Sequence, residues 1–516
     1  MVSIAYSAGL FGIDGYLVTV ECHSARRLSL FEIVGLPDNA IKEAKERVRA
    51  AAINSKLPFP QNEIIVNLAP ADKRKEGSSF DLAILVSILL SGGVFKKPEE
   101  LEACCFIGEL SLSGEVRRVN GALCMAVAAK NAGKKKLFVP LENVKEASVV
   151  EGIEVYGVRN ITQLVTHFNY EDEKITPQKY DGKETEKAPA YPDFCDVMGQ
   201  AQVKRAVEIA AAGGHNILLI GPPGTGKSMI AKRIPSILPE MTFEESIETT
   251  KIHSVSGILP EDVSLICQRP FRAPHHTMSA PALVGGGKIP QPGEVSLANN
   301  GVLFLDELPE FNRQVTESLR QPLEDGKITI TRAAGRITYP SSFMLVCAMN
   351  PCKCGYYGHP THPCTCKKEE IKKYVSKISG PLLDRIDIQI EVSSLNYDEI
   401  SKTHTAEPSS KIRERVNRAR KIMQKRFEGE KTETGAPLNS NAQMESKHLR
   451  KYCTLSSECS AIMEKAFTTL GLSARGHDRI LRLARTIADL SGSEEILVPH
   501  IAEAIGLRSL DKKYFN

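Results

Sequence analysis

Apolar residues recur along this chain with two different periods, and the changes of period mark out its parts. Residues 15–22 (Gly-Tyr-Leu-Val-Thr-Val-Glu-Cys) are rich in apolar and β-branched side chains and predict a strand. Residues 38–53 carry apolar side chains at helical spacing behind Asp38, a helix-start residue, and predict a helix. A strand follows over 63–68 and an apolar helix over 80–90. Residues 216–220, 301–305 and 343–349 are short, nearly unbroken apolar runs separated by helical patterns. Strands of that kind are buried on both faces, so they predict a parallel sheet with βαβ connections. The final stretch is mainly helical in period.

The pattern lapses once. Residues 170–191 are polar, rich in Lys and Glu, and contain Pro177 and Pro189, so they predict a linker. The expected organisation is an N-terminal α+β domain over 1–169, a linker over 170–191, a nucleotide-binding core over 192–395 and a helical domain over 396–516. The length of 516 residues accommodates this at ~150 residues per domain.

Composition narrows the picture by exclusion. With 66 basic and 62 acidic residues the net charge is +4, so any surface for nucleic acid has to be local. The N-terminus lacks the basic and apolar segments of a signal peptide, and no run of about 18 apolar residues occurs. A soluble, cytoplasmic protein is expected. Of 13 cysteines, nine are scattered among apolar neighbours and read as small buried hydrophobes.

The chemistry begins after the strand at 216–220. Gly221, Pro222, Pro223, Gly224, Thr225, Gly226, Lys227 and Ser228 fit G-x-x-x-x-G-K-[ST] in full, with a strand before and a helix after. Glycines let the loop turn its N–H groups inward as an anion nest at a helix N-terminus. Lys227 is then expected on the β- and γ-phosphates of ATP, and the Ser228 hydroxyl on Mg²⁺. The apolar run 302–305 delivers Asp306 and Glu307 to the carboxyl end of a second strand, where ligands bind in open α/β sheets. Asp306 is expected to hold Mg²⁺ through water, and Glu307 to polarise the attacking water. Asn350 ends the strand at 343–349 and could sense the same water or the γ-phosphate. Arg385, in Gly380-Pro-Leu-Leu-Asp-Arg-Ile-Asp387, is the candidate cation for the transition state, supplied in trans.

These residues stand in AAA+ order. Together with the segments 269–277, 292–307 and 473–490, they resemble the magnesium-chelatase-like AAA+ proteins of the YifB/ComM family along essentially the whole chain. The resemblance implies an α/β multidomain protein. It would have a Lon-protease-like (ribosomal S5-like) N-terminal domain, an AAA+ P-loop core and a C-terminal helical lid of the magnesium-chelatase type. It also implies a homo-oligomer, a hexameric ring with ATP sites between subunits, and it assigns a second sensor to Arg475, with Arg479 as runner-up. Residues 75–79 are similar to the Lon segment carrying the nucleophilic Ser, which falls on Ser79. The position of the Lon catalytic Lys falls on Leu123, so no base is present and peptidase activity is not expected.

Directly after Asn350 come Cys352, Cys354, Cys364 and Cys366, as C-x-C, nine residues, C-x-C. Four thiolates on one short loop suit a closed, structural tetrahedral zinc site, with His359 and His362 as substitutes. The alternatives are an iron–sulfur cluster, two disulfides or free thiols. Single-stranded or branched DNA is the expected partner, because the YifB/ComM branch that the chain resembles includes a branch-migration helicase of natural transformation. A predicted hairpin over 326–339 carries Lys327, Arg332 and Arg336, suited to phosphates or simply solvated. Residues 411–431 hold nine basic and three acidic residues, again either a DNA contact or a solvated face. The pair His275–His276 is expected to shape a subunit interface, with metal or substrate binding as the alternative. Two other functions stay open: a protein-remodelling ATPase gripping its partner through the N-terminal domain, and a chelatase motor subunit.

Overall fold

The computed structural model of the protein describes residues 2–25, 28–180, 182, 191–287, 290–332, 335–394, 406–433, 435, 437–508, 510 and 514–515. Chain contacts divide it into two units: Met1–Lys187 with Phe243–Cys267, and Ala188–Thr242 with Gln268–Asn516.

The first unit holds a four-stranded sheet. Val2–Phe11 runs antiparallel to Asp14–Ala25, which runs antiparallel to Glu63–Ala69, and Leu30–Val34 lies parallel to the last. Strict alternation buries Ile64, Val66 and Leu68 in one apolar cluster with Ile41, Val48, Leu82 and Leu85. Those four come from the helices Asn39–Asn54 and Asp81–Ser91. The first starts where its sequence suggests: the Asp38 carboxylate accepts the Ile41 N–H at 2.8 Å. A second sheet of three parallel strands follows, Cys104–Phe106, Lys136–Pro140 and Glu154–Val158.

Two boundaries differ from expectation. Residues 170–180 belong to the first unit rather than to a linker. Gln178 donates its N–H to Val155 O at 2.8 Å, Ile175 donates to His167 Nδ1 at 2.9 Å, and Ile175 packs on the core. The rest of the expected linker, save Gly182 and Tyr191, lies outside the described residues. The segment Phe243–Cys267, expected inside the nucleotide-binding core, also packs with the first unit. Its Ser254 hydroxyl donates to the buried Glu146 carboxylate at 2.5 Å, and its Leu265 joins that unit's apolar cluster. The segment's apolar positions could not reveal which core they would enter. Ser79 and Leu123 are both buried in this unit.

In the second unit five parallel strands are ordered Phe271–Arg272, Val302–Leu305, Met344–Met349, Ile217–Ile220, Ile388–Glu391. The helices Ser409–Arg426 and Ala474–Ser491, expected in a separate lid, share one apolar cluster with this sheet. Ile217, Leu219, Val346 and Ala348 from the strands join Val416, Met423, Ile480 and Ile487 from the helices. The expected boundary at 395–396 lies outside the described residues. Among the described residues no helix is long and apolar enough to cross a membrane.

Candidate nucleotide site and cysteine cluster

The loop 221–228 leaves the carboxyl end of Ile217–Ile220 and enters the helix Lys227–Ala231. Gly221 donates its N–H to Met349 O at 3.2 Å, which ties the start of the loop to the end of the neighbouring strand. A Cβ at Gly221 would stand 2.2 Å from Val392 O, so only glycine fits there. Gly224 and Gly226 take φ of +78° and +86°, and the Thr225 hydroxyl donates to Pro222 O at 2.9 Å.

Lys227 is 8% exposed. Its ammonium donates to Gly221 O at 2.8 Å, Pro222 O at 2.7 Å and Asn350 Oδ1 at 3.2 Å. Burial pulls its pKa down, and Asp306 and Glu307 pull the other way. The Ser228 hydroxyl donates to Asp306 Oδ2 at 2.5 Å. Glu307 follows with φ +52° and gives its N–H to Asp306 Oδ1 at 3.0 Å. Lys227 with Asn350 and Ser228 with Asp306 therefore form two polar pairs, on adjacent residues of the loop, at the switch point of the sheet. A buried cation, a hydroxyl paired with a carboxylate and an open glycine loop suit a Mg²⁺-bound triphosphate.

The candidate arginines lie elsewhere. Arg385 pairs with Glu324 and donates to Pro381 O at 2.8 Å. Among the described residues no hydrogen bond joins it to the phosphate loop of its own chain. Asn216, just before the loop's strand, holds its backbone: the Asn216 amide donates to Arg385 O at 2.8 Å and accepts from Leu345 N at 2.8 Å. Arg475 is exposed in the first turn of Ala474–Ser491. Arg479, one turn on, is 6% exposed and lies 3.8 Å from both Asp384 and Asp387, with burial drawing it down to about 10. Burial pushes Asp387 up, but the hydrogen bond from His215 and the charges of His215, Arg482 and Arg479 bring it below the usual carboxylate range. So the runner-up braces the segment carrying Arg385, whereas Arg475 is free of that brace.

Cys352, Cys354, Cys364 and Cys366 converge, with all four sulfurs within 4.8 Å of one another. Three separations are 3.3, 3.5 and 3.7 Å. A zinc tetrahedron with bonds of about 2.3 Å has sulfur edges of about 3.8 Å. Among the described residues no two cysteines are joined in a disulfide. Burial pushes Cys354 up, but the N–H groups of Tyr356 and Thr365 outweigh it and bring the thiol down to about 5. The donor set fits a thiolate-bound metal. The loop also touches the nucleotide site: Gly355 has φ +88°, and a Cβ there would stand 2.6 Å from Pro223 Cδ.

Three features have no signal in the sequence pattern: the Asn216 clamp, the Gly355–Pro223 contact and the place of His276. Within its own chain His276 points Nδ1 at Glu307 Oε2 from 3.7 Å. Only the strand order brings residues 276 and 307 together.

Comparison with known proteins agrees with this architecture. Family models described as magnesium chelatase, subunit ChlI, match residues 193–400; subunit ChlI of Mg-chelatase, residues 20–143; and the ChlI C-terminal region, residues 406–508. The chain is 42% identical over 519 residues to competence protein ComM of Haemophilus influenzae, covering 98% of this chain and 97% of that protein. It is 40% identical to YifB of Escherichia coli, covering 99% and 97%. To the magnesium-chelatase 38 kDa subunit of Rhodobacter capsulatus it is 26% identical, over 32% of this chain and 51% of that protein.

Proposed function

The chain belongs to the YifB/ComM family of magnesium-chelatase-like AAA+ ATPases, and on that footing we propose that it is an ATP-driven ring motor acting on DNA, a branch-migration helicase of recombination or transformation. ATP with Mg²⁺ supplies the phosphoryl bond whose hydrolysis drives the motor. Lys227 and the N–H groups of Gly224 and Gly226 bind the phosphates, and Ser228 with Asp306 holds Mg²⁺. Glu307 draws the proton from the attacking water, and Asn350 orients that water. Arg385 serves the site of a neighbouring subunit in a homo-hexamer, and Arg475 is the second sensor. The four cysteines hold a structural zinc that keeps Asn350 and Pro223 in register. The first unit is a Lon-like domain without peptidase chemistry.

The full-length likeness to a protein named for competence carries the DNA reading. The hairpin Lys327–Arg332 with Gly335–Pro340 supports it, because Lys327, Arg332 and Arg336 are all exposed on it. The basic helix Ser409–Arg426 supports it less: Arg415 is taken up by Glu208 and Glu407, and Arg426 by Asp489. The test is ATP turnover with no DNA, single strands, duplex or a four-way junction. Stimulation by single strands or junctions is expected. A flat response overturns the DNA reading and moves the search to a protein held by the first unit.

A further inference from the structure

The strand Phe271–Arg272 lies beside Val302–Leu305 in parallel register, Phe271 opposite Val302 and Arg272 opposite Leu303. Residues leaving the two strands at their carboxyl ends are therefore neighbours. Four residues past Arg272 stands His276, and two past Leu305 stands Glu307. His276 Nδ1 is 3.7 Å from Glu307 Oε2. That is too long for a direct hydrogen bond, and it is the kind of contact that tightens when the reacting complex forms.

The two partners differ in freedom. The imidazole has ring neighbours on two sides: it lies 4.2 Å from His275, centre to centre, and edge-on to Phe311 at 6.4 Å. His275 is in turn fixed by Thr277, at 2.9 Å. The strand below is braced by the Arg272 guanidinium, which gives two bonds to Glu294, of 2.6 and 2.8 Å. Among the described residues Glu307 is hydrogen-bonded only through its backbone, and its side chain is 58% exposed. A long, exposed carboxylate has several rotamers, and only some can reach a water at the phosphate loop.

We propose that His276 is a positioning residue for ATP hydrolysis, which limits the Glu307 carboxylate to the rotamers that face the attacking water. The proposal rests on Glu307 being the group that polarises that water. His276 touches no reacting atom and acts only through Glu307. Its loss lowers kcat by roughly 10- to 100-fold, as expected when a reacting group is left loosely placed. The KM for ATP stays within about twofold, since phosphate contacts are untouched.

The experiment is steady-state ATP turnover by the full chain with His276→Ala, His276→Gln, Glu307→Gln and the double variant His276→Ala/Glu307→Gln. Melting temperatures are taken alongside. The expected result is a kcat loss in His276→Ala at unchanged KM and melting temperature, with partial recovery in His276→Gln, whose amide can reach the carboxylate. In the Glu307→Gln background, adding His276→Ala lowers the residual rate no further. If Glu307→Gln turns over at the wild-type rate, the reading of Glu307 is wrong. If Glu307→Gln is inactive while His276→Ala is unimpaired, only the role given to His276 is overturned. The same holds if the two losses multiply in the double variant.

Discussion

Replacing Gly355 by alanine should damage nucleotide binding although residue 355 is outside the phosphate loop. Two costs arise. An alanine at φ +88° pays about 1–2 kcal/mol for left-handed backbone. The new methyl would also sit 2.6 Å from Pro223 Cδ and 3.2 Å from its Cγ, well inside contact distance. Overpacking of this sort costs about 1–3 kcal/mol, and the part that can yield is the phosphate loop. If that second cost falls on the bound state, the dissociation constant for ATP rises about 5- to 150-fold. Gly429 provides the control, because it has φ +79° with nothing within 4 Å of an added Cβ. Gly429→Ala pays the backbone cost alone. Titration of a fluorescent ATP analogue into both variants separates the effects. Equal dissociation constants for the two would refute the idea that the cysteine loop supports the phosphate loop.

Other consequences can be checked as directly. Lys227→Ala should lose ATP binding, and Arg385→Ala should bind ATP but hydrolyse it poorly; mixing the two proteins should restore turnover, and failure to restore it removes the case for an arginine acting between subunits. Elemental analysis of protein purified without chelator should find about one zinc per chain, falling in Cys364→Ser, and iron instead of zinc would identify a different metal centre. His167 is buried, which takes its pKa down to about 4, and its Nδ1 accepts from Ile175. Between pH 6.5 and 4 the unfolded chain therefore binds the extra proton. The contribution is complete above the unfolded pKa and is lost as pH falls, by up to about 3 kcal/mol at pH 4. Melting curves from pH 7 to pH 5 should show a smaller decline for His167→Gln than for wild type.

Much of the second unit was legible because its signals are local. The phosphate loop needs its glycines and Lys227 at fixed spacing, and strands buried on both faces must be unbroken apolar runs, as at 302–305 and 344–349. The hairpin at 327–340 was readable for the same reason, from alternation on either side of Gly335. What escaped was long-range. Phe243–Cys267 looks like any amphipathic helix and loop, and only Ser254 meeting Glu146 shows which core it joins. Residues 170–180 are polar enough for a linker, yet Ile175 and Gln178 tie them down. His276 and Glu307 are 31 positions apart and meet only because of strand order. Arg479 was the runner-up for the second sensor that the resemblance assigned to Arg475, and its burial against Asp384 and Asp387 could not be read from the chain.

The most direct test of the motor is movement of a synthetic four-way DNA junction, followed on a gel with wild-type protein and with Glu307→Gln. The account predicts that wild type separates the junction arms only when ATP and Mg²⁺ are present, and that Glu307→Gln binds the junction and leaves it intact. Wild-type protein that hydrolyses ATP briskly in the presence of the junction but never moves it would contradict the account.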